Sequence, residues 1–243
     1  MKTINVLAFL IFINVFSSSC LREVFCEEGS GQRLTETFDI DDFTGVDLQE
    51  AGNVTITQSD TFEVIVTARE SILDKLQTDV NGGIWEIDLG RECFIDLELE
   101  VEIKMPLLNE LHLSGSGLIE VGDFQDQGNL DISISGSGDI KLNEFNGTED
   151  IDVRISGSGE LVAQKPITGI DRLNVEITGS GYYDCYEIET KELDARISGS
   201  GNIYTTVEDY INVRITGSGN LHYKGNPTID ANITGSGRIV DEN

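Results

Sequence analysis

The stretch Leu130-Asp131-Ile132-Ser133-Ile134-Ser135-Gly136-Ser137-Gly138-Asp139-Ile140 decides the fold. From Leu130 to Ile134 apolar and polar residues alternate strictly, the period of a strand with one buried face. A Ser-Gly-Ser-Gly tetrapeptide then breaks the alternation, which resumes with Ile140. The same tetrapeptide, with Ser or Thr first, stands at 114–117, 135–138, 156–159, 178–181, 198–201, 216–219 and 234–237, a spacing of 18 to 22 residues. Glycine supplies the sharp turn, through positive φ where needed, and lets stacked corners approach one another. The Ser and Thr hydroxyls are expected to bond nearby backbone.

Aligning the copies gives apolar columns. One is Leu130, Ile151, Leu173, Leu193, Ile211, Ile229 and a second is Ile132, Val153, Val175, Ala195, Val213, Ala231. The third, Ile134, Ile155, Ile177, Ile197, Ile215, Ile233, is wholly isoleucine, and Ile119, Ile140, Leu161, Tyr183, Ile203, Leu221, Ile239 follow the corners. A unit this short cannot form a four-stranded propeller blade, and it has neither a helical period nor a leucine-rich consensus. Stacking the units as parallel strands about 4.8 Å apart satisfies both the columns and the backbone. The expected fold is all-β, a single-stranded parallel β-helix or solenoid, right-handed by the general rule for parallel crossovers. A phosphate-cradling reading of the glycines fails, because strands rather than helices follow them.

Residues 108–243 are expected to be regular coils and 36–107 irregular opening coils and cap of the same domain. Within the latter, Val54–Thr57 and Phe62–Thr67 read as paired strands around Gln58-Ser59-Asp60-Thr61. Ser71–Leu76 reads as one or two helical turns, and Asn81-Gly82-Gly83 is a hairpin signal before Ile84–Ile87. Residues 20–35 read as a linker and 1–19 as an export signal: Lys2, an apolar run from Ile4 to Phe16, then Ser17-Ser18-Ser19 before Cys20. A cysteine there resembles a bacterial lipoprotein signal, with Ser17 departing from the usual aliphatic residue. Acylation of Cys20 would tether the chain without spanning the bilayer; the alternative is ordinary cleavage leaving a free thiol.

The net charge is −28, from 44 acidic and 16 basic residues. Such a balance repels nucleic acid and anionic lipid surfaces. Export opens the oxidising chemistry of cysteine. Cys185 falls in an inward column with Val121, Leu142, Ala163, Thr205 and Tyr223, which reads as a buried free thiol. That leaves Cys26 and Cys93, outside the regular coils, as the disulfide pair.

Asn53–Gln58, Phe62-Glu-Val-Ile-Val, Val80-Asn-Gly-Gly-Ile-Trp-Glu-Ile, Met105-Pro-Leu-Leu-Asn-Glu-Leu-His-Leu-Ser-Gly-Ser-Gly and the repeated Ile-Ser-Gly-Ser-Gly together resemble the head GIN domain family of auto-transporter adhesins. The resemblance covers about residues 36–240. It implies a β-helical domain on exported, often lipid-anchored envelope proteins of Gram-negative bacteria, and brings no catalytic residues with it.

No catalytic residue, metal site or cofactor is expected. His112 and His222, the two histidines, lie coils apart, so no nucleophile–histidine pair is implied. The outward column Asp131, Asp152, Asn174, Asp194, Asn212, Asp230 offers oxygens for calcium. Arg154, Arg196 and Arg214 in the adjacent column compensate it instead. Tyr204 and His222 share an outward column beside Tyr182 and Asp184, a candidate face for a glycan or an envelope protein. The leading expectation is a non-catalytic binding or adhesion module in the cell envelope, an outer-membrane lipoprotein touching the membrane through its anchor only. The alternatives are a self-associating structural lipoprotein and a polysaccharide-acting enzyme.

Overall fold

The computed structural model describes residues 26–95 and 97–243. The signal segment and Cys20 lie outside them. Almost every element is a strand, and the repeated coils stack in parallel. On the side before the corners the strands Glu110–Leu113, Leu130–Ile134, Asp150–Gly157 and Ile167–Gly179 lie side by side, followed by the second halves of Tyr182–Gly199 and Asn202–Gly217 and then Thr228–Gly235. After the corners run Leu118–Val121, Asp139–Leu142, Glu160–Ala163, the first halves of the two long strands, Asn220–Lys224 and Arg238–Asp241. A third side closes each coil through buried Phe124, Phe145, Ile167, Ile188 and Val207, with the two phenylalanine rings 5.8 Å apart.

The register reproduces the expected columns. Ile134, Ile155, Ile177, Ile197, Ile215 and Ile233 pair in sequence, and the first five are 0–2% exposed. Ile233, on the last described coil, is 40% exposed. Each fully buried side chain of this kind contributes roughly 1.5–3 kcal/mol, which only stacking can realise.

At the corners the hydrogen bonds are backbone to backbone. The first glycine of the motif sets the ladder: the carbonyl of Gly179 accepts from Ser200 N–H at 2.8 Å, and that of Gly199 from Ser218 N–H at 2.8 Å. The expected hydroxyl bonds do not form; among the described residues no corner hydroxyl has a hydrogen-bond partner, because the backbone of the next coil already takes that role. From Gly159 onward the last glycine of each corner packs against the isoleucine column, whereas Gly117 and Gly138 pack against Leu48 and Leu113. A Cβ built on Gly201 would overlap Cγ2 of Ile177, and one on Gly219 would overlap Cγ2 of Ile197. The β-branched methyl occupies the space the glycine leaves, so the two residue types recur together.

The opening region departs from chain order. The coil formed by Gly45–Leu48 and Asn53–Gln58 has Glu110–Leu113 and Leu118–Val121 on one side and Ile84–Ile87 and Glu100–Met105 on the other. Chain that comes later therefore flanks it on both sides. Val54–Thr57 and Phe62–Thr67 are not a paired hairpin. Glu100–Met105 lies between them, parallel to Asn53–Gln58 and antiparallel to Glu63–Arg69. Both segments alternate, so inserting a third alternating strand satisfies each of them and closes the end of the stack. Arg33–Phe38 pairs antiparallel with Glu63–Arg69 beyond it. The expected hairpin at Gly82-Gly83 does form, with both glycines at positive φ (63° and 86°) and Val80 paired with Trp85. The helical turn is Glu70–Leu73. Phe43 lies 5.0 Å from Phe62 and 5.9 Å from Trp85, whose indole N–H donates to Gln77 O at 3.1 Å.

The described part of the segment read as a linker is partly strand. Glu27–Glu28 pairs with Phe94–Ile95, and Arg33 opens the antiparallel edge. The reason is covalent as well as conformational: Cys26 and Cys93 form a disulfide, with Cα atoms 4.5 Å apart. Cys185 is free and fully buried in its column, and burial pushes its thiol well up. Iodoacetamide should leave the Cys185 peptide unlabelled in native protein and label it after denaturation; rapid native labelling in mass mapping would contradict the buried register.

Candidate functional site

Tyr204 and His222 occupy the same outward position on neighbouring strands, with Asp184 before them and Val240 after. Parallel pairing sets their rings face to face, 4.6 Å between centroids and 18° from coplanar. Tyr182, 43% exposed, stands in the next outward column with Asn202, Asn220 and Arg238. The asparagines form a ladder, Asn220 Nδ2 donating to Asn202 Oδ1 at 2.9 Å. Tyr182, Asp184, Tyr204 and His222 thus share one face, as the alternation implies.

Three residues of this face were not singled out in the sequence: Tyr186, Lys224 and Glu242. Between Cys185 and Glu189 the register slips against Thr205 and Thr206, a bulge that re-aims the chain. Thr206 Oγ1 donates to Tyr186 O at 2.8 Å and pins it. Tyr186 then meets Tyr204 edge-on, 5.7 Å between centroids and 70° between planes. The Lys224 ammonium sits 4.3 Å above the Tyr186 ring, and Glu242 Oε1 lies 2.8 Å from His222 Nδ1. The signal was available in part, since Tyr186 and Lys224 continue the outward alternation of Asp184 and His222 by one step.

Partial burial pushes the Tyr186 hydroxyl up to about 12, with Glu242, Tyr204 and Asp184 adding to it, and burial followed by Asp184 raises Tyr204. Both phenols therefore stay neutral at physiological pH. An aromatic strip edged by amides, one ammonium and two carboxylates can stack on a flat apolar face and exchange hydrogen bonds at its rim. It holds no activated nucleophile. His112 lies on the other side of the corners, 3.8 Å from Glu110.

The acidic column is compensated only in part, since among the described residues Arg214, expected to compensate it, makes no ion pair and Asp230 has no partner. Arg154 reaches Asp131 at 3.0 Å, Asn174 donates to Asp152 at 2.9 Å, and Asp194 takes both Arg196 at 3.2 Å and Asn212 at 3.0 Å. Two shallow grooves near the capped end are lined largely by carboxylates and amides. One runs past Asp39, Asp41, Asp60 and Lys104, the other past Gln58, Asp123, Gln125 and Asp126. Among the described residues no group of three or more His, Cys, Asp or Glu side chains converges to hold a metal ion.

Solved structures share this architecture. A "putative adhesin" from Bacteroides fragilis aligns with a TM-score of 0.78 at 21% identity, covering 88% of this chain and 99% of its own. A "putative adhesin" from Parabacteroides merdae aligns at 0.72 and 21% identity, covering 89% and 98%. A "putative lipid binding protein" from Parabacteroides distasonis aligns at 0.71 and 23% identity, covering 89% and 99%. At such identities the likeness is one of fold. No curated protein sequence matches the chain. The family model described as "Putative auto-transporter adhesin, head GIN domain" matches residues 42–227, and with most of its length matched the chain belongs to the head GIN domain family.

Proposed function

We propose that this protein is a non-catalytic binding module of the cell envelope that contacts glycan through the Tyr182, Tyr186, Tyr204 and His222 face. The observation that carries the reading is the ring strip itself. Stacked and edge-on rings run across three coils on the outer face and keep part of their surface in solvent. Sugar rings present flat C–H faces that such a strip complements, and hydroxyls that Asp184 and the asparagine amides can bind.

The geometry also fits an anchor at the opposite end. Lipidation of Cys20 would place the membrane a few residues from Cys26, which the disulfide fixes at the capped end. From Glu100–Met105 to the strand carrying Tyr204 there are six strand steps, roughly 29 Å at about 4.8 Å each. The module would then present its aromatic face away from the envelope surface.

On a glycan array, wild-type protein should give signal that falls at least tenfold with Tyr204→Ala and further with Tyr204→Ala/His222→Ala. Both side chains lie on the outer surface, so the melting temperature should move little. Undiminished binding in the double variant removes this face from the function.

A further inference from the structure

Resting on that glycan reading, we infer that the ligand is an acidic sugar: a pyranose ring bearing a carboxylate or a sulfate. The fate of the protein's cations points there. Ten lysines and arginines of the described residues lie within 4.0 Å of a carboxylate. With 44 acids to 16 bases, a partner is close at hand almost anywhere on the surface. Four others among the described residues, Arg91, Arg214, Lys224 and Arg238, have none, and the last two border the aromatic strip. Lys224 is held over the Tyr186 ring instead, which keeps its charge uncancelled and orients it beside the stacking surface.

Of the acids on the face, Glu242 faces His222 at 2.8 Å. Asp184, and Glu160 beside Tyr182, are left as acceptors for sugar hydroxyls. Lys224 and Asn220, the neighbour of Arg238, are four residues apart on one strand, so the two cations flank His222 about 13 Å from each other along the strand. That span accommodates more than one linked ring, with an aromatic between the charges. The net charge of −28 repels anions at a distance, but screening at physiological salt limits that field to about 8 Å. Contact attraction at Lys224 and Arg238 is screened far less than the remote repulsion.

The test compares matched charged and neutral ligands on the whole mature chain by titration calorimetry: oligogalacturonate against its methyl ester, and dextran sulfate against dextran. The charged member of at least one pair should bind tenfold or more tightly than its neutral partner, and which pair responds tells carboxylate from sulfate. Lys224→Gln/Arg238→Gln should bring that ratio to within about twofold of one, while Arg154→Gln/Arg196→Gln, a charge-matched change on the other side of the corners, should leave it high. Equal binding of charged and neutral ligands, or a high ratio persisting in the double variant, overturns the acidic-sugar inference and leaves the glycan reading standing. Absence of binding to all four ligands sinks the glycan reading itself.

Discussion

Gly199→Ala should lower the melting temperature by roughly 6–12 °C, taking about 3 kcal/mol as the loss and 2–4 °C per kcal/mol for a chain of this size. Two costs add. Gly199 sits at φ +131°, a conformation that strains any residue with a Cβ by about 1–3 kcal/mol. A Cβ there would overlap the carbonyl oxygen of Gly179 and come within 3.1 and 3.2 Å of its C and Cα atoms. Relief requires the coils to part, yet the same carbonyl holds Ser200 N–H and the Gly199 carbonyl holds Ser218 N–H, both at 2.8 Å. Overpacking of this kind costs about 1–3 kcal/mol. Gly169→Ala is the matched control. It too has positive φ, +85°, but a Cβ there meets nothing within 4 Å. Its cost should be the conformational one alone, about 1–2 kcal/mol. Equal melting shifts for the two variants, followed by circular dichroism, would mean that corner contact contributes nothing.

Ile177→Ala should cost about 2–5 kcal/mol, towards the upper end, and Ile233→Ala roughly 1 kcal/mol or less. The two residues share one column, but Ile177 is fully buried between Ile155 and Ile197, whereas Ile233 is 40% exposed. Truncation at 177 also empties the space beside Gly201, which has no side chain to move into it. A cavity that cannot collapse is the expensive kind. At 233 water already reaches the side chain, so little burial is lost. Denaturant melts of both variants would check this, and a cost at 233 matching that at 177 would contradict the exposure.

The regular coils were readable because two signals coincide in each of them. Alternation fixes which residues face inward, and the corner fixes where one strand ends, so Leu130–Ile134 could be aligned with Ile151–Ile155 without ambiguity. The opening coil lacks the second signal. Its corner is Gln49-Glu50-Ala51-Gly52, which keeps only the final glycine, although Gly117 stacks on it as one corner on another. The insertion of Glu100–Met105 between Asn53–Gln58 and Glu63–Arg69 was not readable at all. Alternation says which face a strand buries and nothing about which strand lies beside it. At the aromatic face, Tyr182, Asp184, Tyr204 and His222 followed from the columns. Tyr186 depended on a bulge, and a register slip leaves no mark in a period-two pattern. Glu242 joins His222 through stacking of the last described coil, a contact twenty residues away in sequence.

The antiparallel strands that close the Cys26 end leave the stack with a single front along which its length can vary. Inserting or deleting one unit of 18–22 residues among the regular coils would preserve every column and every corner contact. It would move the rings of Tyr204 and His222 outward or inward by one strand spacing, about 4.8 Å, without disturbing the sealed base. The distance between the sealed base and the aromatic face is then a quantity that evolution can adjust in fixed steps, independently of the chemistry the face displays.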